Sequence, residues 1–226
     1  TLPEFKPFEI EVADNEAAAI RGYALHEGLK HTHTIAVGNP SGSHFNYDLT
    51  QGSWLNVWSG AFLDVREMWV NRGIEQLAVP LGPSLALGGS PSFAQLSGKS
   101  AAWPDSVFEN DPIQSTGYEL GDQGVPTFLF EAGNATIRDH ISSSPSERKL
   151  SRKIQVEGDL ANNTWFMLAS GSDIQKLPNG SYAINDLAYY LEVEGGLKPS
   201  IRSSQGRKEL LVSLSDNPSI NYSLIW

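Results

Sequence analysis

The sequence predicts an all-β fold, a large antiparallel β-sandwich of supersandwich type formed as one domain over residues 1–226. Three observations predict it. Apolar residues recur with period two in one segment after another, the segments are separated by Gly, Asn and Asp turn chemistry, and helical periodicity is scarce. Strands of this kind have one apolar face each, which they bury by pairing into sheets that pack face to face.

Taken along the chain, "NEAAAIRG" is the best candidate for one short helical turn. In "HTHTIAVG" strand parity places His31, His33, Ile35 and Val37 on one face, and in "SHFNYDL" it places His44, Asn46 and Asp48 opposite Phe45, Tyr47 and Leu49. The stretch "WLNVWSGAFLDVREMWVNRG" holds three of the six tryptophans. Extended throughout, it directs Trp54, Asn56, Trp58, Phe62 and Asp64 to one side and Leu55, Val57, Ala61, Leu63 and Val65 to the other. A turn or bulge at Ser59-Gly60 would instead pack the tryptophans between sheets. Val65, Met68, Trp69 and Arg72 follow helical spacing, so a single helical turn is expected before Gly73.

From Gly73 to Pro112 ten of the forty residues are Gly or Pro. This is a long excursion, and its spaced apolar residues, Trp103 and Phe108 among them, predict that it folds against the body and walls any ligand site, with Trp103 as anchor. Downstream, "STGYELGDQGVPTFLFEAGNATIRDHIS" reads as a three-stranded meander. "RKLSRKIQVEG", "TWFMLAS", "AYYLEVEGG", "KELLVSLS" and "SINYSLIW" add strands, with Leu150, Ile154 and Val156, then Leu210, Val212 and Leu214, then Ile220, Tyr222, Leu224 and Trp226 on their buried faces. Arg148, Lys149, Arg152 and Lys153 form a local basic patch that reads as a solvated edge strand rather than an anion site.

Composition narrows the function. A net charge of −10 repels phosphate backbones and anionic headgroups, which argues against nucleic acid and membrane surfaces as partners, and no apolar run has membrane-spanning length. With no cysteine there is no disulfide, no thiolate nucleophile and no Cys-ligated metal. A start at Thr1 predicts a chain processed or excised from something larger. N-x-S/T sequons begin at Asn134, Asn162, Asn179 and Asn221.

No G-x-S-x-G elbow, Walker loop, dinucleotide fingerprint or HExxH is present. His31 and His33 form an HxH pair that can reach a common metal, but no third ligand follows at a diagnostic spacing, and no metal or other cofactor is predicted. The candidate ligand-binding residues are Trp54, Trp58, Phe62, Asp64, His44, Asn46, Asp48 and Trp103. Aromatic faces beside amide and carboxylate groups suit sugars, whose C–H faces pack on rings while their hydroxyls take polar partners. The connection "LTQGS" predicts that the flanking strands pair, placing His44, Asn46 and Asp48 near Asp64.

Ala36 to Gly42, Tyr47 with Asp48, Trp58 to Asp64, Trp69 with Arg72 and Gly73, and Leu81 with Gly82 form a pattern that continues in "GYEL", "GVPTFLFE" and "ERKLSRKIQV". It resembles a β-rich region of large multidomain bacterial envelope proteins that also carry c-type cytochrome and sugar-dehydrogenase-like propeller domains. The resemblance implies an extracytoplasmic location, in the periplasm, on the outer-membrane surface or secreted. It also implies carbohydrate or neighbouring envelope domains as partners, a c-type cytochrome domain among them. The chain has no CxxCH, so covalent haem would belong to another domain. Three functions follow as expectations: a module that binds carbohydrate or docks partner domains; a carbohydrate-active enzyme using His44, Asp48 and Asp64 as acid–base groups; and a structural subunit of an envelope assembly.

Overall fold

Period-two alternation produces strands almost everywhere it occurs. The computed structural model describes residues 8–70, 73–98, 100–145 and 148–226, so Arg72 of the expected helical turn lies outside the described residues. The first part of the chain forms β1 (Glu9–Ile10), β2 (Ala18–His26), β3 (Leu29–Gly38), β4 (Ser43–Asp48), β5 (Ser53–Ser59) and β6 (Ala61–Asp64), then a one-turn helix α1 (Arg66–Trp69). The excursion contributes β7 (Val79–Leu81), β8 (Ser84–Ala86) and β9 (Phe93–Gln95). The meander follows as β10 (Ile113–Leu120), β11 (Pro126–Ala132) and β12 (Ala135–Ser143). After it come β13 (Lys149–Glu157), β14 (Thr164–Gly171), β15 (Ile174–Lys176), β16 (Tyr182–Ile184) and β17 (Tyr189–Val193). The chain closes with β18 (Ser200–Ser204), β19 (Arg207–Ser213) and β20 (Ser219–Ile225). Strands account for 56% of residues and helix for 3%. "NEAAAIRG" is a turn running into β2 rather than a helix, because Ala18 to Gly22 are claimed by the ladder to β3.

Among the described residues four antiparallel sheets result: β10-β11-β12-β13-β20-β17-β16-β15, β2-β3-β4-β5-β8, β18-β19-β14-β9 and β1-β6-β7. The main core lies between the eight-stranded sheet, which supplies Phe128, Ile137, Ile154 and Leu224, and the five- and four-stranded sheets, which supply Phe45, Tyr47, Phe166 and Leu210. The apolar faces predicted for β13, β19 and β20 all lie in or against this core. Tyr47 and Phe128 stack across the layers with centroids 3.9 Å apart.

Two further clusters cover the outer faces of the smaller sheets. Ala36 and Trp58 on the five-stranded sheet meet Phe62 and Leu63 of the three-stranded sheet, with Met68 of α1 against them. Met167 and Leu211 of the four-stranded sheet meet Ala94, Leu96 and Trp103 of the excursion. The excursion therefore folds against the body through Leu96 and Trp103, whereas Phe108, whose spacing suggests the same, is 70% exposed. The indole N–H of Trp103, a residue 1% exposed, donates to the Pro91 carbonyl at 2.8 Å.

The basic run is not a solvated edge. β13 pairs on both sides, with β12 and β20, and Arg152 shares its parity with Leu150 and Ile154, so it points into the core at 3% exposure. There its guanidinium forks onto Asp139 through Nε at 2.9 Å and Nη2 at 2.6 Å. The Tyr47 hydroxyl donates to the same carboxylate at 2.7 Å, and Arg152 Nη2 also donates to Ser92 Oγ at 2.9 Å. Burial works against the charge on Arg152, but Asp139 overcomes it and holds the guanidinium charged, while burial and Asp139 push the Tyr47 phenol well up.

Candidate functional site

Two β-bulges decide which side chains share a face. In the β4–β5 hairpin Asn46 opposes Asn56 but Tyr47 opposes Trp54, so Leu55 is an extra residue. The bulge shifts the parity of β5. Trp54 falls with Phe45, Tyr47 and Val57 in the main core, whereas Trp58 falls on the opposite face. The Ser59-Gly60 break is also present: β5 ends at Ser59, Gly60 takes φ +112°, and β6 joins another sheet. Trp54, Trp58 and Phe62 therefore form no continuous face. Trp58 is fully buried, stacked parallel to Phe62 at 6.0 Å, and donates its indole N–H to the Phe62 carbonyl at 3.0 Å. The aromatic platform expected for a sugar ring is core packing: Trp54 lies in the main core, and Trp58 is covered by Phe62 and Leu63 of the three-stranded sheet.

The polar row is likewise divided. His44 packs against Trp58 and Phe62; one ring nitrogen meets the Gly60 carbonyl at 2.8 Å, and Nδ1 accepts the Asn39 N–H at 3.1 Å. Burial lowers its pKa, partly offset by the bond to Gly60. Asn46 is buried with no hydrogen-bond partner for its amide nitrogen. Asp64 lies on β6 opposite Glu9 and Val79, where its carboxylate accepts the Arg66 N–H at 2.8 Å, so it serves the start of α1. The predicted hairpin pairing holds for β4 and β5, but Asp64 is beyond the break and belongs to a different sheet from Asp48.

Asp48 has a different setting. Its Oδ1 accepts the N–H groups of Thr50 and Gln51, both at 2.9 Å, and its Oδ2 meets His31 Nδ1 at 2.7 Å. The turn that follows β4 thus fixes the carboxylate, and the carboxylate fixes the imidazole. With the Nδ1 proton directed at Asp48, Nε2 of His31 is the nitrogen left for proton exchange. The second bulge brings this pair together: Gly22 opposes Thr34 but Ala24 opposes His31, so Thr32 and His33 together face Tyr23. That shift puts His31 on the same face as Thr34 and Asp48 and breaks the strict alternation that set His31 level with His33, although both still line one hollow. Among the described residues no group of three or more His, Cys, Asp or Glu is placed to hold a metal ion.

Beside His31 stands His26, from the other arm of the hairpin, with ring centroids 5.9 Å apart at 73°. His26 Nδ1 lies 3.3 Å from Asn56 Oδ1, while its Nε2 is buried without a hydrogen-bond partner and 4.0 Å from Glu27 Oε2. Gly89 of the excursion lies directly against it. The residue has φ +64°, and a Cβ there would come within 2.4 Å of His26 Nε2, so only glycine permits this approach. Next to it, Ser90 Oγ accepts from Arg207 Nη1 at 3.1 Å, and Arg207 Nε donates at 3.2 Å to Glu209, which is fully buried and also held by Arg202 at 2.7 Å.

These groups surround one hollow of about 430 Å³, lined by the β2–β3 hairpin with His26 and His31, the β4–β5 turn with Asp48, residues 88–90 and 105–106 of the excursion, and Arg207. The excursion supplies a wall, tied down where Gln51 Oε1 accepts the Val107 N–H at 2.6 Å. Of the residues proposed from sequence, Asp48 lies in this wall together with His31 and His33. Trp54 lines a separate hollow of about 30 Å³ that shares Gly88, Gly89 and Ser90 with the first. His44, Asn46, Trp58, Phe62, Asp64 and Trp103 do not line the large hollow. His26 and Arg207 were not legible as site residues, because each reaches the hollow from a distant part of the chain, whereas Asp105 is one of the carboxylates, with Asp48, Asp64, Glu67, Glu109 and Asp111, from which the sequence could draw an acid–base pair without selecting two. A faint signal for His26 is its place two residues before the Gly28 turn of a hairpin whose other arm carries His31.

No family model matches this chain, and no curated protein matches it. Among solved structures it is similar to "Crystal structure of YidC from Thermotoga maritima", at 12% identity and a TM-score of 0.35, a likeness that carries no functional argument. The match covers 93% of this chain and 50% of that one, so the chain spans about half the length of the structure it matches.

Proposed function

We propose that the hollow around His31 and Asp48 binds a small polyhydroxylated ligand of the carbohydrate class, in a protein that works outside the cytoplasm. The observation that carries this reading is the 2.7 Å contact of His31 Nδ1 with Asp48 Oδ2 in the wall of a hollow of about 430 Å³, within the range of about 300–1,000 Å³ usual for small-molecule sites. Its wall is rich in imidazole, carboxylate, hydroxyl and guanidinium groups, which suit hydroxyl-rich ligands. The burial of Trp58 and Phe62 removes support from a flat stacking platform and moves the reading to this polar hollow. The extracytoplasmic setting, and a neighbouring envelope domain such as a c-type cytochrome as partner, rest on the resemblance of the segment from Ala36 to Gly82.

A second reading is favoured by the same pair. His31 Nε2 can take a proton from a bound hydroxyl while Asp48 stabilises the imidazolium that forms, which equips the hollow for general acid–base catalysis on a sugar. His44 and Asp64, bound to backbone and helix start, have no part in it.

The test is calorimetric titration of glucose, galactose, mannose, xylose and their disaccharides into the unmodified protein and into His31→Ala and Asp48→Asn, with thermal stability measured in parallel. Binding by the unmodified protein, weakened at least about tenfold in both variants while they remain folded, is the expected result; tenfold corresponds to about 1.4 kcal/mol. No binding by the unmodified protein to any sugar of the panel would overturn the reading, as would unchanged affinity in both variants.

A further inference from the structure

The hollow around His31 has a neighbour on the side of His33. A second hollow, also of about 430 Å³, is lined by Arg21, Leu49, Gln114, Ser115, Thr116, Gly117 and Tyr118, and it shares His33 and Thr50 with the first. The two hollows thus lie side by side, from the β2–β3 hairpin across the β4–β5 turn to β10, and a ligand that crosses at His33 and Thr50 would treat them as one trough. We infer that this trough binds a linear oligosaccharide, with one sugar unit at the His31–Asp48 pair and the following units along Arg21, Gln114 and Tyr118. The inference rests on the carbohydrate reading of the first hollow and names the size and course of its ligand.

Three features of the second hollow carry it. Its lining is mostly hydroxyl, amide, imidazole and guanidinium, with Leu49 as its one aliphatic side chain, so it offers hydrogen bonds along its length rather than apolar pockets for peptide side chains. Tyr118 is half-buried and held edge-on to Phe128 at 6.3 Å, which gives a fixed ring within the trough for a sugar C–H face. Gln114 is anchored by bonds from Nε2 to the carbonyls of Phe108 at 2.7 Å and Asp111 at 2.9 Å, so its position costs little to order on binding. The strand itself bends here: Ser115 opposes Phe130 and Gly117 opposes Leu129, leaving Thr116 as a bulge residue with Gly117 at φ +123°. Bulges of this kind re-aim side chains beside binding sites.

The experiment compares mono-, di-, tri- and tetrasaccharides of the xylo-, cello-, malto- and manno- series by calorimetry, using the unmodified protein, Arg21→Ala and Tyr118→Ala. Arg21 is exposed on β2, so its variant tests the trough without disturbing the core. In at least one series affinity is expected to rise about tenfold or more from one unit to three. Both variants are expected to return the trisaccharide to about the affinity of the monosaccharide while leaving monosaccharide binding unchanged. Binding of a monosaccharide with no gain on lengthening would overturn the trough and leave the first hollow standing, as would a gain that survives both substitutions. Binding of no sugar of any length would overturn the carbohydrate reading of the first hollow and this inference with it.

Discussion

His44 spends its hydrogen-bonding capacity on backbone, holding the Asn39 N–H ahead of β4 and the Gly60 carbonyl after β5 at the open end of the β4–β5 pairing. Protonation would turn the acceptor nitrogen into a donor facing an N–H, in a site that burial already makes hostile to charge. Its folded pKa is lowered from 6.5 chiefly by burial, and that of His140 is lowered by burial as well, with opposing contributions from Asp139 and Lys153. A group whose folded pKa is depressed binds fewer protons folded than unfolded, so stability is complete above the unfolded value and is lost as pH falls through the folded one. The melting temperature should accordingly decline on acidification from about pH 6.5 downward. Thermal melts across that range check the sign, and a melting temperature that rose over the same window would contradict it.

Among the elements, the excursion is the one whose role the fold defines most sharply. It closes the outer face of the four-stranded sheet through Leu96 and Trp103 and supplies residues 88–90 and 105–106 to the hollow. Trp103 is its main apolar anchor, so Trp103→Ala should cost about 3–5 kcal/mol, the usual range for truncating a buried large side chain. The same change should make the segment from 88 to 112 the first to be cut in limited proteolysis, which fails as a prediction if cleavage there is as slow as in the unmodified protein.

Across the whole molecule, Arg152 joins the layers. Its partners Asp139 and Tyr222 belong to the eight-stranded sheet, while Ser92 comes from the excursion, and its guanidinium lies 5.8 Å from the Tyr47 ring and 5.1 Å from the Phe166 ring of the opposite layer. Removing one partner of a buried pair leaves an uncompensated charge. Arg152→Met should therefore destabilise by about 3–5 kcal/mol in urea unfolding, and adding Asp139→Leu should recover part of that loss. If the single substitution proved neutral, the pair would not be holding the layers together.

The strands were legible in the sequence because side-chain alternation is a local property: Ile220, Tyr222 and Leu224 are buried as their spacing requires, and α1 forms where Met68 and Trp69 follow helical spacing. The packing of the excursion was legible in part: Trp103 is buried as its apolar spacing suggests, while Phe108 of the same set faces solvent. Three matters were settled only by tertiary structure. The bulges at Leu55 and at Thr32-His33 arise from the register of two strands against each other, and each reverses the parity that one strand alone suggests. Arg152 looked solvated because its neighbours are charged, whereas β13 is interior and its partner Asp139 lies on β12. Trp58 and Phe62 looked like a platform because nothing local reveals that Phe62 belongs to another sheet, which lies over Trp58. Alternation fixes which residues share a face of a regular strand; what covers that face, and whether it remains open to a ligand, is determined by packing between segments far apart in the chain.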